Sequence, residues 1–225
     1  MSNLLKKKHI SFEGNISAGK STIFNYIKTL NLVNTSFVDE PVSEWENIKD
    51  KNGMNALECF YSDQKKNSFC FQVLAYITRL KKIIDTIRIN PSNITISERC
   101  IETDKYVFAK MLYEADNISS IEWETYNYWY NTFVEISQVD MIIYIATDPE
   151  ICYNRIKNRN RSGESNIPLE YLIKCHTMHE NWINTTSTHV IKLNGNKNII
   201  ELQNDIKEIM NSLIPGRTES VITSN

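Results

Sequence analysis

Two glycines near the start of the sequence precede a lysine and two hydroxyl side chains. In the stretch GNISAGKST, Gly14 and Gly19 stand on either side of four residues, and Lys20, Ser21 and Thr22 follow directly. This G-x-x-x-x-G-K-[ST] spacing is the pattern of a phosphate-binding loop, in which glycines let backbone N–H groups approach phosphate oxygens. In such a loop Lys20 reaches the outer phosphates and the Ser21 hydroxyl ligates Mg²⁺. The pattern predicts a nucleoside triphosphate site, with a chance match in a strand-to-helix turn as the alternative.

Charged side chains also stand where two other apolar segments end. Glu40 closes TSFVDE, and a carboxylate there suits a general base that takes a proton from a hydroxyl nucleophile. Glu98 and Arg99 close NITISER, where Arg99 could donate to phosphate oxygens and Glu98 could hold Mg²⁺ or its waters. Taken alone, a surface carboxylate at Glu40 and a structural ion pair at Glu98 and Arg99 remain open as alternatives.

A basic segment, NRIKNRNRSGES, carries three arginines ahead of a glycine. Arg155 and Arg159 are four positions apart and share a helix face, and Arg161 follows. A cationic helix end that leads into a flexible turn suits a lid that closes over transferring phosphates. The alternative is a solvated basic surface.

The segment ECFYSDQKKNSFCFQVLAYITRL mixes aromatic side chains with Tyr61, Gln72 and Arg79. Gln72 and Arg79 are two helical turns apart, so they share a helix face. A glutamine amide can pair with a nucleobase edge in two orientations, and aromatic rings can stack on a base. The alternative is that most of these aromatic residues simply fill the core.

Strand-like and helical segments alternate along the chain. The alternation predicts an α/β fold with a doubly wound parallel sheet of about five strands, helices on both faces, and ligands beyond the carboxyl ends of the strands. We expect one domain over residues 1–225. The predicted strands are HISF, TSFVDE, NITISER, DMIIYIA and THVIKL. The predicted helices cover residues 22–30, 68–89, 103–113, 121–137, 149–158 and 169–183.

Bulk composition excludes several classes of partner. The 225 residues carry a net charge of -2, so there is no basic excess that would predict a nucleic-acid partner. No apolar run approaches a membrane span or resembles a secretory signal, so no membrane partner is expected. The five cysteines match no metal motif, which predicts free thiols in a cytoplasmic protein. The turn-rich end, about residues 215–225, is expected to be frayed.

The stretch WETYNYWYNTF holds more aromatic residues than one buried helix face needs. We expect a subunit contact there, and therefore a homodimer.

Several blocks, in one order, resemble the deoxyribonucleoside kinase family, in particular its deoxycytidine and deoxyguanosine kinase members. The resemblance covers roughly residues 10–182, and its blocks are FEGNISAGKST, EPVSEW, FYSDQKKNSFCFQ, SERCIETDKYVFAKMLYE and NRNRSGESNIPLEYLIKCHTMHENW. It implies a P-loop kinase fold with an arginine-rich lid at about residues 155–166. It also implies transfer of the γ-phosphoryl group of ATP, UTP or another nucleoside triphosphate to the 5′-hydroxyl of a deoxynucleoside, with Mg²⁺, in nucleoside salvage for DNA precursor synthesis.

The resemblance also implies a role for each matching residue. The residues that it assigns to the donor phosphates are Gly14, Asn15, Ile16, Ser17, Ala18, Gly19, Lys20, Ser21, Thr22, Arg155, Arg159 and Arg161. Glu40 is the implied base, and the pair Glu98 and Arg99 is implied to be catalytic. The residues that it assigns to the nucleoside are Tyr61 and Glu164 at the 3′-hydroxyl, Gln72, Arg79 and Asp104 at the base, and Trp45, Phe71 and Phe108 as apolar walls.

The sequence departs from the family pattern at two places. Ser17 and Ala18 stand where many relatives carry a glycine, which is acceptable if the positive-φ positions of the loop lie elsewhere. Gly163 stands where relatives often carry a second glutamate, which puts the rigidity of the lid in question.

The resemblance also bears on which base is bound, because thymidine-preferring relatives generally lack the charged pair at Arg79 and Asp104. An ionised Asp104 only accepts hydrogen bonds, so it favours the exocyclic amine of cytosine or adenine and repels O4 of thymine. Arg79 would crowd the thymine methyl group but could donate to O6 of guanine. We therefore expect deoxycytidine first and purine deoxynucleosides second.

Other functions leave parts of the pattern unexplained. A thymidine or thymidylate kinase is the nearest alternative, but thymidylate kinases do not account for Trp45, Gln72 or the block around Glu164. DKNG fits the D-x-x-G pattern of a GTP switch, but no N-K-x-D element reads guanine. An inactive family member acting as a structural subunit would be expected to carry lesions in residues such as Lys20, and none is present.

Overall fold

The computed structural model of the chain describes residues 8–90, 92–159 and 167–214. The predicted lid residues from 160 to 166 and the predicted frayed end from 215 to 225 lie outside these ranges.

One sheet contains five parallel strands, which are β1 (Lys8–Glu13), β2 (Thr35–Val38), β3 (Ile94–Glu98), β4 (Met141–Ala146) and β5 (His189–Asn194). Their order across the sheet is β2-β3-β1-β4-β5. The predicted parallel sheet is therefore confirmed, with strand ends that shift by one or two residues. Its inner strand β4, MIIYIA, is a continuous apolar run because both of its faces are covered.

Helices cover both faces of this sheet. Along β4, Ile142 and Tyr144 belong to one hydrophobic core and Ile143 and Ile145 to the other, as the two-residue period of a strand requires. The helices are α1 (Lys20–Lys28), α2 (Val42–Asn47), α3 (Ala56–Ser62), α4 (Gln64–Ile89), α5 (Ile101–Thr103), α6 (Lys110–Glu114), α7 (Ser120–Phe133), α8 (Pro149–Arg159), α9 (Leu169–Thr185) and α10 (Ile199–Leu213).

Three of these helices were not predicted from the sequence, namely α2, α3 and α10. Two of them begin with a capping box, Asn55 with Glu58 at α3 and Asn198 with Glu201 at α10, and this local signal could have revealed both. The third, α2, has only six residues, which is too short for a clear periodic pattern.

The predicted helix over residues 103–113 contains a π-helical turn, Asp104–Ala109, between α5 and α6. Such turns insert one extra residue per turn and are frequent at functional sites. Asp104 and Phe108 both lie within this π-helical turn, and both line one cavity of the protein.

Within the described ranges, no helix combines the length and the apolar character that a bilayer crossing requires.

Candidate active site

A cavity of about 550 Å³ opens where β1, β2 and β3 end. It brings together residues from seven separated parts of the chain. The residues predicted from the sequence that line it are Ile16, Ser17, Gly19, Lys20, Ser21, Thr22, Glu40, Trp45, Tyr61, Phe71, Gln72, Arg79, Glu98, Arg99, Asp104, Phe108 and Arg159.

Some predicted site residues are not among the lining residues of this cavity. Gly14, Asn15, Ala18 and Arg155 lie beside it, and Arg161 and Glu164 fall outside the described residues. Conversely, the sequence interpretation missed six lining residues: Asn25, Val42, Leu57, Phe60, Ala75 and Tyr171.

The loop between β1 and α1 has the backbone geometry that its glycines permit. Gly14 has φ 148°, and a Cβ there would lie 2.7 Å from the carbonyl oxygen of Ile145. Gly19 has φ 103° and stands directly before the first residue of α1, so the free N–H groups of that helix face the cavity. The helix begins at Lys20, two residues earlier than predicted.

Ser17 adopts the left-handed backbone conformation, with φ 60°. The sequence made tolerance of Ser17 and Ala18 conditional on the positive-φ positions of the loop lying elsewhere, and this condition is not met at Ser17. A non-glycine residue in this region costs about 1 kcal/mol or more, because Cβ crowds the following carbonyl oxygen.

Lys20 is buried at the floor of the loop, where Nζ donates a 2.8 Å hydrogen bond to the carbonyl oxygen of Asn15. Burial, together with the positive charge of Arg99, lowers the pKa of Lys20 to about 8, against the opposing effect of Glu40 and Glu98. The Asn15 amide donates at 2.9 Å to the carbonyl oxygen of Leu172, which ties the loop to α9.

Ser21 and Glu98 place two side-chain oxygen atoms that could ligate a metal ion next to the loop. The Ser21 hydroxyl donates a 2.6 Å hydrogen bond to Oε1 of Glu98. Burial and the nearby Glu40 raise the pKa of Glu98. In the described part of the chain, no group of three or more His, Cys, Asp or Glu side chains could enclose a metal ion. The pair fits Mg²⁺, which needs few protein ligands because it keeps waters and phosphate oxygens.

Glu40 lies between two arginines. Its Oε1 accepts hydrogen bonds from Nη2 of Arg79 at 3.2 Å and from Nε of Arg99 at 3.1 Å. Burial alone would raise the pKa of Glu40, but Arg99, Arg79 and Lys20 lower it to about 2. Glu40 is therefore a carboxylate at neutral pH.

Arg99 directly follows β3 with a left-handed backbone, φ 67°. Its N–H donates at 3.0 Å to the carbonyl oxygen of Phe12 on the neighbouring β1. Its guanidinium carbon lies 4.9 Å from the centre of the Phe108 ring. The strained turn sends the Arg99 side chain across the mouth of the sheet toward Glu40.

Arg79 makes several hydrogen bonds at the far end of the cavity, which is the end opposite the phosphate loop. Its Nε donates at 2.8 Å to Oδ2 of Asp104, and its Nη1 donates at 2.9 Å to the carbonyl oxygen of Glu98. Asp104 and Glu40 raise the pKa of Arg79 against the effect of burial, so its charge is permanent. Nearby, Gln72 is buried, and its Oε1 has no hydrogen-bond partner among the described residues.

Aromatic rings form the remaining wall. Phe71 is stacked on Phe60 with ring centres 4.7 Å apart, and the Trp45 ring meets it edge-on at 5.4 Å. Tyr61 and Tyr171 lie 6.2 Å apart. Phe60 and Tyr171 escaped the sequence interpretation although both stand in the quoted blocks, because nothing local separates a lining aromatic residue from a core one.

The two predicted arginines of α8 have different surroundings: one bonds to backbone carbonyl oxygens and the other lines the cavity. Arg155 donates to the carbonyl oxygens of Ala18 at 3.0 Å and Gly195 at 3.1 Å, so it joins the phosphate loop to the turn after β5. Arg159, at the last position of α8, is exposed and lines the cavity.

Comparisons with known proteins agree with this geometry. The family described as deoxynucleoside kinase matches residues 10–215. A probable deoxycytidine kinase of fowlpox virus is 37% identical over 229 residues, covering 94% of this chain and 93% of the relative. Human deoxycytidine kinase is 36% identical over 196 residues, covering 78% of this chain and 75% of the relative. A mitochondrial deoxyguanosine kinase of Xenopus laevis is 32% identical over 222 residues, covering 91% and 83%. The family match over most of the chain, together with these relatives, shows that the chain belongs to the deoxynucleoside kinase family, enzymes that phosphorylate deoxynucleosides.

Proposed function

We propose that this deoxynucleoside kinase prefers deoxycytidine, accepts purine deoxynucleosides, and transfers the γ-phosphoryl group of ATP or another nucleoside triphosphate to the 5′-hydroxyl. One observation carries the proposal. A single cavity joins the phosphate loop to the buried polar group of Gln72, Arg79 and Asp104. A donor and an acceptor can therefore meet at Glu40, which lies between the two ends.

The donor end is the phosphate loop with the arginines of α8. The backbone N–H groups of residues 14–22 and the Lys20 ammonium group would bind the donor phosphates. Ser21 and Glu98 would hold Mg²⁺, which when bound neutralises charge that develops on the phosphate oxygens. Arg159 lines this end, and we propose that Arg161 joins it. Arg155 would act on the loop through the carbonyl oxygen of Ala18.

Glu40 is the proposed general base. Its carboxylate would accept the proton of the 5′-hydroxyl while the hydroxyl oxygen forms its bond to the γ-phosphorus. The bond from the γ-phosphorus to the β,γ-bridging oxygen breaks in the same step, and the nucleoside diphosphate leaves with that oxygen. Phosphoryl transfer passes through a loose transition state with little negative charge to generate on the nucleophile, so a weakly basic, well-placed carboxylate is sufficient. Arg99 would hold Glu40 in place and, with Glu98, complete the reaction site.

The far end of the cavity would bind the base and the sugar of the deoxynucleoside. The unpaired Oε1 of Gln72 can accept from the exocyclic amine of cytosine. Asp104, held by Arg79, adds acceptor oxygens that favour an amine and repel O4 of thymine. Trp45, Phe71 and Phe108 would form the walls. Tyr61 and Glu164 are the proposed partners of the 3′-hydroxyl.

A thymidine kinase is the second candidate, since Gln72 alone could pair with thymine by turning its amide. The carboxylate of Asp104 in the wall of the cavity argues against it. An inactive structural subunit is disfavoured because Lys20, Glu40 and Arg99 converge on one cavity.

Transfer of radiolabelled phosphate from ATP, and separately from UTP, to each of the four deoxynucleosides tests the proposal. We expect the highest kcat/KM with deoxycytidine and the lowest with thymidine. The variant Lys20→Ala, checked for its fold by circular dichroism, is the matched control for background transfer. Thymidine as the best substrate would replace the proposed preference, and equal transfer by Lys20→Ala would reject the phosphate-loop assignment.

We further propose that residues 1–225 form one domain that assembles as a homodimer in the cytoplasm. On α7, Tyr128 and Trp129 are 76% and 45% exposed, and Ile77 on the adjacent α4 is 46% exposed. Such an apolar surface favours a subunit contact. All five cysteines are free thiols, which fits a reducing compartment. Light scattering should give about twice 26.2 kDa for the wild type, and Tyr128→Glu with Trp129→Glu should give the monomer mass.

A further inference from the structure

A buried histidine contacts the Arg99 guanidinium on the side opposite its hydrogen bond to Glu40. His179 of α9 is completely buried, and its Nε2 lies 3.4 Å from Nη1 of Arg99. No sequence motif singles out His179, because Arg99, which faces its Nε2, is 80 positions away in the chain.

The hydrogen bonds of His179 determine its tautomer. Its Nδ1 lies 2.7 Å from the carbonyl oxygen of Cys175, which only accepts, so Nδ1 carries the proton. Nε2 is then an unprotonated acceptor facing Arg99, which only donates. Burial, together with the charge of Arg99, lowers the pKa of His179 well below its ordinary value, so the ring stays neutral.

The surroundings of the His179 ring leave it little freedom. The ring is stacked on Tyr144 with centres 6.0 Å apart and meets the Phe108 ring edge-on at 6.0 Å. On the same side, Oε2 of the fully buried Glu13 lies 4.0 Å from Nη1 of Arg99. His179 and Glu13 thus face the end of the guanidinium opposite to the one that bonds Glu40.

We propose that His179 is a positioning residue for phosphoryl transfer: by accepting from Nη1 of Arg99, it fixes the plane of the guanidinium so that Nε points at Glu40. A guanidinium is rigid and planar, so holding Nη1 sets the direction of Nε. The support is needed because Arg99 enters the cavity from a left-handed backbone position and a long side chain has many rotamers. The inference rests on the roles proposed above for Arg99 and Glu40.

Two amide variants separate positioning from packing. In His179→Gln the amide oxygen reaches the place of Nε2 and can still accept from Arg99. In His179→Asn the shorter amide reaches only the place of Nδ1, so it retains a bond to the Cys175 carbonyl and loses Arg99. We expect His179→Asn to lower kcat about 10-fold to 100-fold, since small misplacement of a reacting group has costs of this size. The KM for deoxycytidine should change by less than about threefold, as expected when ground-state binding is retained. His179→Gln should stay within about threefold of wild type in kcat.

A second buried histidine is the matched control. His9 pairs its Nδ1 with the carbonyl oxygen of Ser137 at 3.2 Å and its Nε2 with the Ser97 hydroxyl at 2.8 Å. It lies at the start of β1, away from the carboxyl ends of the strands where the cavity opens. His9→Asn and His9→Gln should lower the midpoint temperature of unfolding. The two variants should have the same kcat. Equal kcat values for His179→Asn and His179→Gln would overturn the proposal, whether both are reduced or both are unchanged.

Nuclear magnetic resonance gives a readout that needs no turnover. In histidine-labelled protein we expect His179 in the Nδ1–H tautomer, with an Nε2 resonance that shifts in Arg99→Met. An Nε2–H tautomer would overturn the proposal even in an active enzyme. An inactive wild type with the expected tautomer would instead reject the proposed function.

Discussion

In the wall of the cavity, Nε of Arg79 donates a 2.8 Å hydrogen bond to Oδ2 of Asp104, and the two side chains are each 2% exposed. The two residues are 25 positions apart, on α4 and on the π-helical turn. Removing one partner of such a pair leaves an uncompensated buried charge, at a cost of about 3–5 kcal/mol. The pair is therefore best changed as a unit.

Replacing this pair should open the site to thymidine. In Arg79→Met with Asp104→Ala, the carboxylate proposed to repel O4 and the bulk proposed to crowd the methyl group are both gone. We expect the ratio of kcat/KM for thymidine to that for deoxycytidine to rise by about 10-fold or more, as losing one unfavourable polar contact allows. Lys81→Met with Asp85→Ala, an exposed ion pair on the same helix, is the control. An unchanged ratio in the buried double variant would show that the pair does not set base preference.

Removing the proposed base should slow the chemical step. Glu40→Gln keeps the shape and the hydrogen bonds of the side chain but cannot accept a proton. We expect kcat to fall by roughly 10²-fold or more, which is typical of the loss of a general base. Single-turnover transfer with saturating substrates measures the effect. Glu98→Gln is the comparison, and a silent Glu40→Gln beside an inactive Glu98→Gln would exchange the two roles.

The lowered pKa of Lys20 should appear in the pH profile. Burial and Arg99 bring this pKa down to about 8, so Lys20 is charged below that pH and loses its charge as the pH rises through it. The proposed binding of the donor phosphates by Lys20 needs the charge, so kcat/KM for ATP should decline above pH 8. In Lys20→Arg the side chain stays charged, and this alkaline decline should vanish. A decline of the same midpoint in Lys20→Arg would assign it to another group.

The 3′-hydroxyl should be required for good turnover. A site built to bond that hydroxyl leaves polar groups unpaired when it is missing, which costs about 1–3 kcal/mol. Dideoxycytidine should therefore have a kcat/KM at least about 10-fold below that of deoxycytidine. Tyr61→Phe and Glu164→Ala should each shrink this discrimination. Equal use of the two substrates by the wild type would contradict the proposed binding of the 3′-hydroxyl by Tyr61 and Glu164.

Relieving the backbone strain at Ser17 should stabilise the protein. Ser17→Gly removes the Cβ from a left-handed position, φ 60°, and should raise the free energy of unfolding by up to about 1 kcal/mol. Ala18, which is fully buried and lacks a positive φ, is the matched control. Ala18→Gly should lower the free energy of unfolding by about 1 kcal/mol. Urea unfolding of both variants measures the difference, and destabilisation by Ser17→Gly would contradict the backbone argument.

The sequence by itself determined the phosphate loop, the parallel sheet and the charged residues at the strand ends. These features are local: a loop motif is contiguous, strand and helix periods are visible in short windows, and parallel strands bring their carboxyl ends to one edge. The positions of Glu40, Glu98 and Arg99 in one cavity follow from that topology.

Only the tertiary structure decided how these side chains point and what holds them. The left-handed turn at Arg99, the π-helical turn that carries Asp104 and the histidine behind Arg99 have no local signal. The physical reason is that each depends on partners far away in the chain: a carbonyl of β1 bonds the Arg99 backbone, α4 supplies the arginine that holds Asp104, and α9 supplies His179. Local propensity costs of about 1 kcal/mol are overridden when buried hydrogen bonds and close packing over-determine the conformation.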